Sequence, residues 1–408
     1  MLVDGNRIVA VGKDVAIPSD AKRIDASGKT IVPGFIDAHW HGAMNDAGLI
    51  PQQSWINLAS LAFGVTTLHD PSNMSSAIFT QAEMQRAGIV TGPRIYSTGT
   101  ILYGARTPFY SLVNSLDDAL THLNRQKAEG AISVKSYQQP RRDQRQQVLE
   151  AARQTGMMVV PEGGALFQNN MTMVVDGHTT VEHALPIAEV WDDVKQLWGQ
   201  QAVGYTPTLN VGYGGLDGEH YWYARTDVWK HPLLSRYVPR TVLEPRSVRR
   251  ETAPEEDFNI IRVARTATAL QRAGVNTMIG AHGQREGLGA HWEMWMFVLG
   301  GMTPMEALRT ATINPARNFG FDKDLGSLEP GKLADLVVIN GNPLADIRQS
   351  DRIAQVMQNG RLYDAATMNQ IAPVAKARKP LFFEGADGKT MPIDSEALEA
   401  AHGHGNGD

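Results

Sequence analysis

The chain has 408 residues and a formal net charge of −5 at pH 7, with 42% hydrophobic and 20% charged residues, 39 Gly and 21 Pro. That composition excludes collagen-like and disordered chains and fits one large barrel with an accessory layer or two to three domains. There is no long basic run to attract nucleic acid and no stretch near the roughly 18 apolar residues of a membrane span. The chain contains no cysteine, so disulfides and thiolate ligands are out, and a metal would need histidine, carboxylate or a modified lysine.

In chain order, VDGNRIVAVG alternates apolar and polar residues around Asp4-Gly5, and DASGKTIVPG adds a second turn and strand, both antiparallel-sheet signals. Neither a charged n-region nor an apolar h-region follows Met1. The chain therefore reads as carrying no secretion signal of its own, cytoplasmic as it stands and periplasmic if it is a fragment of an exported fusion. The pattern then changes to short apolar runs alternating with longer stretches of helical spacing, as in strand-helix repeats of a parallel sheet. The predicted strands are GFIDAHWH, GVTTLHD, PRIYSTGT, AISVKSY, MMVVPEGG, TTVEHAL, VGYTPTLN and NTMIGAHG. Helices are predicted at Pro51–Phe63, Leu116–Glu129, Arg142–Thr155, Ala188–Gly199 and Asp257–Ala273.

Eight strands in about 250 residues match a (β/α)₈ barrel, placed at residues 33–323 in an α/β fold of TIM type. The stretch 211–254, rich in Tyr, Trp, Arg and Pro, is too long for a plain connection and follows the seventh strand, which predicts a lid or specificity loop over the barrel mouth. Near the other end, LGSLEPGKLADLVVIN and IAQVMQNGRLYD again read as short strands with turns. With the opening hairpin they predict a small β-sandwich built from both termini, residues 1–32 and 324–408, and the closing AHGHGNGD reads as a frayed tail.

Chemistry concentrates at strand ends. Side chains two apart in a strand point the same way, so His39 and His41 in FIDAHWHG face one side and Trp40 the other. Two imidazoles at the C-terminal end of the first barrel strand can reach one cation at the barrel mouth, where this fold carries out catalysis. Lys135, Glu162, His183 and His282 end the fourth, fifth, sixth and eighth strands. A strand lysine flanked by Val134 and Tyr137 is under pressure to lose its charge, and reaction with carbon dioxide would make it an anionic bridging ligand. His69, ending the second strand, lines the pocket or supports it from behind. Tyr205, Thr206 and Thr208 at the seventh strand are candidates to bind a substrate carbonyl, and His291 to contact substrate or cap a helix. His178 reads as structural, Asp70 as a local hydrogen-bonding group, and Trp222, Tyr223, Trp292 and Trp295 as core or pocket wall.

PGFIDAHWH, GVTTLHDPS, SVKSY, TTVEHA and the block TPMEALRTATINPARNFGFDKDLGSLEPGKLADLVVI together resemble the metal-dependent amidohydrolase superfamily, nearest its imidazolonepropionase-like and prolidase-like branch. VVPEGG, DGHTTVEHA, GYTPTLNVGYGG and AHGQREGLGAHWEMW further resemble amidohydrolase modules fused behind a TolB-like β-propeller. The resemblance implies that His39 and His41 bind a first divalent metal, most simply zinc, that carboxylated Lys135 bridges to a second, and that His183 binds the second. Two departures stand out: Glu162 replaces the usual histidine of the fifth strand, and His282 replaces the usual aspartate of the eighth. Zinc accepts an oxygen or a nitrogen donor, so the site survives, with either His282 or Glu162 available as general base and the other as ligand.

The implied activity is hydrolysis of an amide, cyclic amide or dipeptide-like C–N bond by metal-bound hydroxide, on a small molecule or short peptide. A lactone or ester could be served by the same site, and a barrel that has lost catalysis and works as a binding or assembly module is the rival from another class. Monomer and homo-oligomer are both compatible with the sequence.

Overall fold

The computed structural model of the protein describes residues 1–45, 48–105, 110–212, 216–248 and 250–384. The AHGHGNGD tail, the last part of the expected C-terminal unit and two short pieces of the 211–254 segment lie outside the described residues.

The N-terminal arm contributes β1 (Leu2–Asp4), β2 (Arg7–Ala10) and β3 (Thr30–Pro33). Next come β4 (Phe35–Asp37), β5 (Val65–Asp70), β6 (Arg94–Ser97), β7 (Leu102–Tyr103), β8 (Ser133–Tyr137), β9 (Met158–Pro161), β10 (Thr180–Glu182) and β11 (Gly204–Thr206); β7 is a two-residue strand beside β8, and the other seven are the first seven barrel strands. The C-terminal part adds β12 (Leu336–Ile339), β13 (Ile353–Gln358), β14 (Arg361–Asp364) and β15 (Gln370–Ala372).

The parallel strands pair as β4-β5-β6, β7-β8-β9 and β10-β11. Thr179 N–H donates to Val159 O at 3.0 Å, joining β9 to β10. The eighth strand is extended but pairs through a single bridge, Thr277 to Tyr205. Ile279 N–H donates to Thr310 O, 31 residues on, at 3.0 Å instead of to a neighbouring strand. This segment still closes the ring, because Ala38 N–H donates to Ile279 O at 3.2 Å and His282 N–H to His39 O at 2.8 Å. The result is a TIM-barrel-like fold with the C-terminal strand ends on one face.

Helices cover the outside: α1 (Trp55–Ala62), α2 (Ser75–Arg86), α3 (Leu116–Glu129), α4 (Arg142–Thr155), α5 (Phe167–Asp176) and α6 (Asp192–Gly199). Both α3 and α4 end where the sequence predicts, because Gly130 and Gly156 adopt φ of 110° and 69° that a side chain would oppose. At its start, α3 carries a reciprocal capping box between Ser115 and Asp118.

Instead of an open loop, the 211–254 segment holds three helices, α7 (Gly218–Arg225), α8 (Pro232–Tyr237) and α9 (Arg240–Val248). Tyr221, Trp222, Tyr223 and Tyr237 are buried: Trp222 packs edge-to-face on Trp295 at 5.2 Å, and Tyr237 Oη–H donates to Ala365 O at 2.9 Å. Then come α10 (Ile260–Arg272), α11 (Leu288–Leu299), α12 (Pro304–Thr310) and α13 (Ile313–Asn318). Helix α11, LGAHWEMWMFVL, is buried on nearly every side between the barrel, this excursion and the terminal sheet.

From the chain ends comes one antiparallel five-stranded sheet in the order β15-β14-β13-β12-β3. The β1-β2 hairpin attaches beside it through Ile8 N–H to Lys332 O and Gly331 N–H to Ile8 O.

Candidate active site

The strand carrying FID ends at Asp37, and His39 and His41 follow directly in the turn of chain after it. Asp37 Oδ1 accepts from the backbone N–H groups of His39 (3.2 Å) and Ala281 (3.1 Å), which ties the first strand to the eighth below the histidines. Burial pushes the Asp37 carboxyl up to about 7 despite these two bonds.

His39 Nδ1 donates to Glu182 Oε2, and His41 Nδ1 donates to Asp70 Oδ1 at 3.0 Å. A neutral imidazole with its proton on Nδ1 has a bare lone pair on Nε2. The two Nε2 atoms face each other at 3.1 Å, a distance at which two lone pairs repel unless something positive lies between them. Burial, then the charge of Lys135 and the neighbouring histidines, hold His39 well below the usual imidazole range, so a proton is not the favoured occupant. Both anchored rings could thus serve as metal ligands with carboxylates behind them, a common arrangement at metal sites.

His282 joins them: one ligand atom each from His39, His41 and His282 falls within 4.8 Å of the others. Its backbone is left-handed, φ 58°, as is that of His183, φ 70°. Such angles are uncommon for side-chain-bearing residues and re-aim the imidazoles inward from strand ends. Gly280 lets the strands close around the site, since a Cβ there would lie 2.7 Å from His39 Cβ and 2.6 Å from Thr206 Cγ2. Burial and then His41 and His183 hold His282 down to about 2.

On the other side stands a second group. Lys135 Nζ lies 2.7 Å from Glu162 Oε2, and His183 Nε2 lies 3.1 Å from Glu162 Oε1 while His183 Nδ1 meets Thr208 Oγ1 at 2.8 Å. Burial alone would raise the Glu162 carboxyl, but the adjacent Lys135 ammonium and His183 outweigh it and bring it down to about 2. The two histidine groups touch, His39 and His183 ring centroids being 4.8 Å apart. All six residues expected to ligate metal, His39, His41, Lys135, Glu162, His183 and His282, therefore meet at one end of the barrel.

Three expected substrate contacts do not. His69 is buried with Nδ1 donating to Ala38 O (3.2 Å) and Nε2 accepting from Ser133 Oγ (2.7 Å), so neither ring nitrogen is left for a ligand. Tyr205 points outward from β11, its ring 5.1 Å from Trp198 and its oxygen accepting from Leu185 N–H, while Thr206 takes the interior face. His291 lies fully buried in α11, bonded at 2.9 Å to Ser350 Oγ and at 2.8 Å to Phe63 O. It ties α11 to the end of α1 and to the connection before β13.

Glu182 was missed by the sequence reading, although Thr180 and Glu182 share a face in the two-residue period of TTVEHA and Thr180 donates its hydroxyl to Glu182. Burial raises Glu182 to about 7. Asp70 does bond locally, to Ser72 N–H at 2.9 Å, but also orients His41.

Parallel strands in a TIM-barrel-like arrangement thus gather a histidine cluster and carboxylates at one end, where His39, His41 and His282 could hold a metal ion. The amidohydrolase family model matches residues 254–363. The chain is 25% identical over 372 residues to imidazolonepropionase of Symbiobacterium thermophilum, covering 82% of each chain. It is 27% identical to dihydroorotase of Trichlorobacter lovleyi over 203 residues, 48% of this chain and 45% of that one, so the match spans less than half the length of that curated relative. The solved structure of a Xaa-Pro dipeptidase with bound methionine superposes with a TM-score of 0.66 at 19% identity, over 89% of this chain and 94% of that one. The chain is thus similar to the amidohydrolase family over residues 254–363 and to imidazolonepropionase over most of its length.

Proposed function

We propose that this protein is a metal-dependent hydrolase that cleaves the C–N bond of an amide, cyclic amide or dipeptide-like substrate. The observation that carries this reading is the pair of Nε2 atoms of His39 and His41, 3.1 Å apart with each Nδ1 spent on a carboxylate. His39, His41 and His282 would hold one divalent cation, most simply zinc, and imidazole nitrogens suit zinc well. When bound, such an ion supplies Lewis acidity that polarises a carbonyl and eases loss of a proton from water.

The chain's own residues do the rest. Glu162 is kept ionised by Lys135 and faces the histidine cluster, which makes it the acceptor for the proton of attacking water, with His282 assigned to ligation. His183, steered by Thr208, is placed to hand a proton onward or to ligate a second ion. If Lys135 is carboxylated, its ammonium no longer opposes Glu162, and the two anions would need that second ion between them. We take residues 33–323 as the catalytic barrel and the 211–254 excursion as its cover. The β1-β2 hairpin and terminal sheet would then form the small sandwich.

The test is metal analysis of purified protein alongside paired amide and lactone panels. Near-stoichiometric metal with chelator-sensitive amide cleavage is expected. Lactone-only turnover would move the reaction to C–O bonds, and folded, metal-free, inactive protein would make the barrel a binding module.

A further inference from the structure

Beyond the Lys135–Glu162 pair, the strand end is aromatic. Tyr137 shares a face with Lys135, two residues along β8, and Lys135 Nζ lies 5.9 Å from the Tyr137 ring centroid. In the parallel register Tyr103 is the direct partner of Tyr137, and the rings stack with centroids 4.9 Å apart and planes 18° from parallel. Both rings are half-buried, so each keeps surface open at the mouth.

The loops leaving this side of the barrel carry uncovered apolar side chains. Leu112 is 45% exposed, Leu166 68% and Trp191 72%, in the connections that follow β7, β9 and β10. Large apolar groups singly exposed mean little, but these surround a catalytic mouth. The charged groups beneath, Lys135 and Glu162, are paired with one another at 2.7 Å.

We infer that the Tyr103–Tyr137 pair is the specificity wall of the site and receives a planar, uncharged aromatic group attached beside the scissile bond. This rests on the hydrolase reading for the bond cleaved. The stacked pair supplies ring faces and edges to an incoming ring, and the exposed apolar residues of the loops extend the surface outward. A substrate bearing only a methyl group in that place would leave the wall wet.

The experiment uses the metal-loaded full chain with two probes, N-benzoylglycine and N-acetylglycine. Binding is followed by saturation-transfer NMR titration and cleavage by release of glycine. The benzoyl probe should bind about tenfold more tightly, the size expected for one well-placed aromatic contact plus its burial. Tyr137→Ala and Tyr103→Leu should each bring the binding ratio close to one with metal content unchanged, and Tyr137→Phe should keep it. Thermal unfolding identifies any variant that fails to fold, and the other then carries the test. A ratio near one in the parent protein, no binding of the benzoyl probe, or a ratio untouched by both truncations overturns the inference. Aromatic preference in binding without cleavage of either probe leaves the wall standing and counts against the hydrolase reading alone.

Discussion

Lys135 Nζ stands 2.7 Å from Glu162 Oε2, at the ends of two adjacent parallel strands, β8 and β9, with the lysine side chain 1% exposed. A buried ion pair adds little net stability, because taking both charges from water offsets their attraction, but removing one partner leaves the other stranded. Glu162→Gln should therefore destabilise the fold by about 3 kcal/mol and cut turnover by about 10²-fold or more. Adding Lys135→Met should recover much of the stability and none of the turnover. Urea unfolding and single-turnover assays check both; a stable, fully active Glu162→Gln protein would remove Glu162 from the chemistry.

Glu182 and Asp70 fix the two imidazoles from behind. Replacing either by its amide leaves the shape and weakens the acceptor that sets the ring tautomer. Metal affinity should fall by about 10- to 100-fold in Asp70→Asn and in Glu182→Gln. Competition titration against a chromogenic chelator reads this directly, and unchanged affinity in both variants would mean the carboxylates do not serve the site.

Gly280 has no room for a methyl group, with His39 Cβ and Thr206 Cγ2 at 2.7 and 2.6 Å from where it would stand. Gly280→Ala should lower the unfolding free energy by about 1–3 kcal/mol, the usual cost of overpacking, and reduce metal occupancy by displacing His39. Metal content per folded chain is the deciding measurement. Full occupancy in a well-folded Gly280→Ala protein would contradict the close approach.

His291 gives a pH dependence separate from the site. Burial is the main cause of its fall from 6.5 to about 4, outweighing the nearby Asp351 and the bond to Phe63 O. The unfolded chain takes up a proton below about 6.5 and the folded one does not until about 4, so this residue's contribution is complete above 6.5 and fades as pH drops through that window. The loss should amount to about 3 kcal/mol by pH 4. Urea midpoints measured from pH 7.5 to 4.5 should fall less steeply in His291→Gln, with metal content unaltered. Identical slopes would show that His291 does not set this dependence.

The chain itself determined most of the frame. Short apolar runs between stretches of helical spacing located seven barrel strands, and helix signals placed α3 and α4 to the residue, because those features depend on neighbours in sequence and on glycines such as Gly130 and Gly156. The spacing of His39 and His41 was legible for the same reason. The broken eighth strand was not, since its pairing is diverted by a hydrogen bond to Thr310, far along the chain.

The three misplaced contacts share one cause. His69 and Tyr205 lie in barrel strands and His291 in α11, and the direction of each side chain was decided by its packing partners, Ser133, Trp198 and Ser350, which spacing within a strand or helix does not reveal. Residue type and spacing told which chemistry the chain could support. Only closure of the barrel brought Glu182 behind His39, set Lys135 against Glu162 and turned His282 inward, because these contacts join strands separated by many residues and no local pattern encodes them.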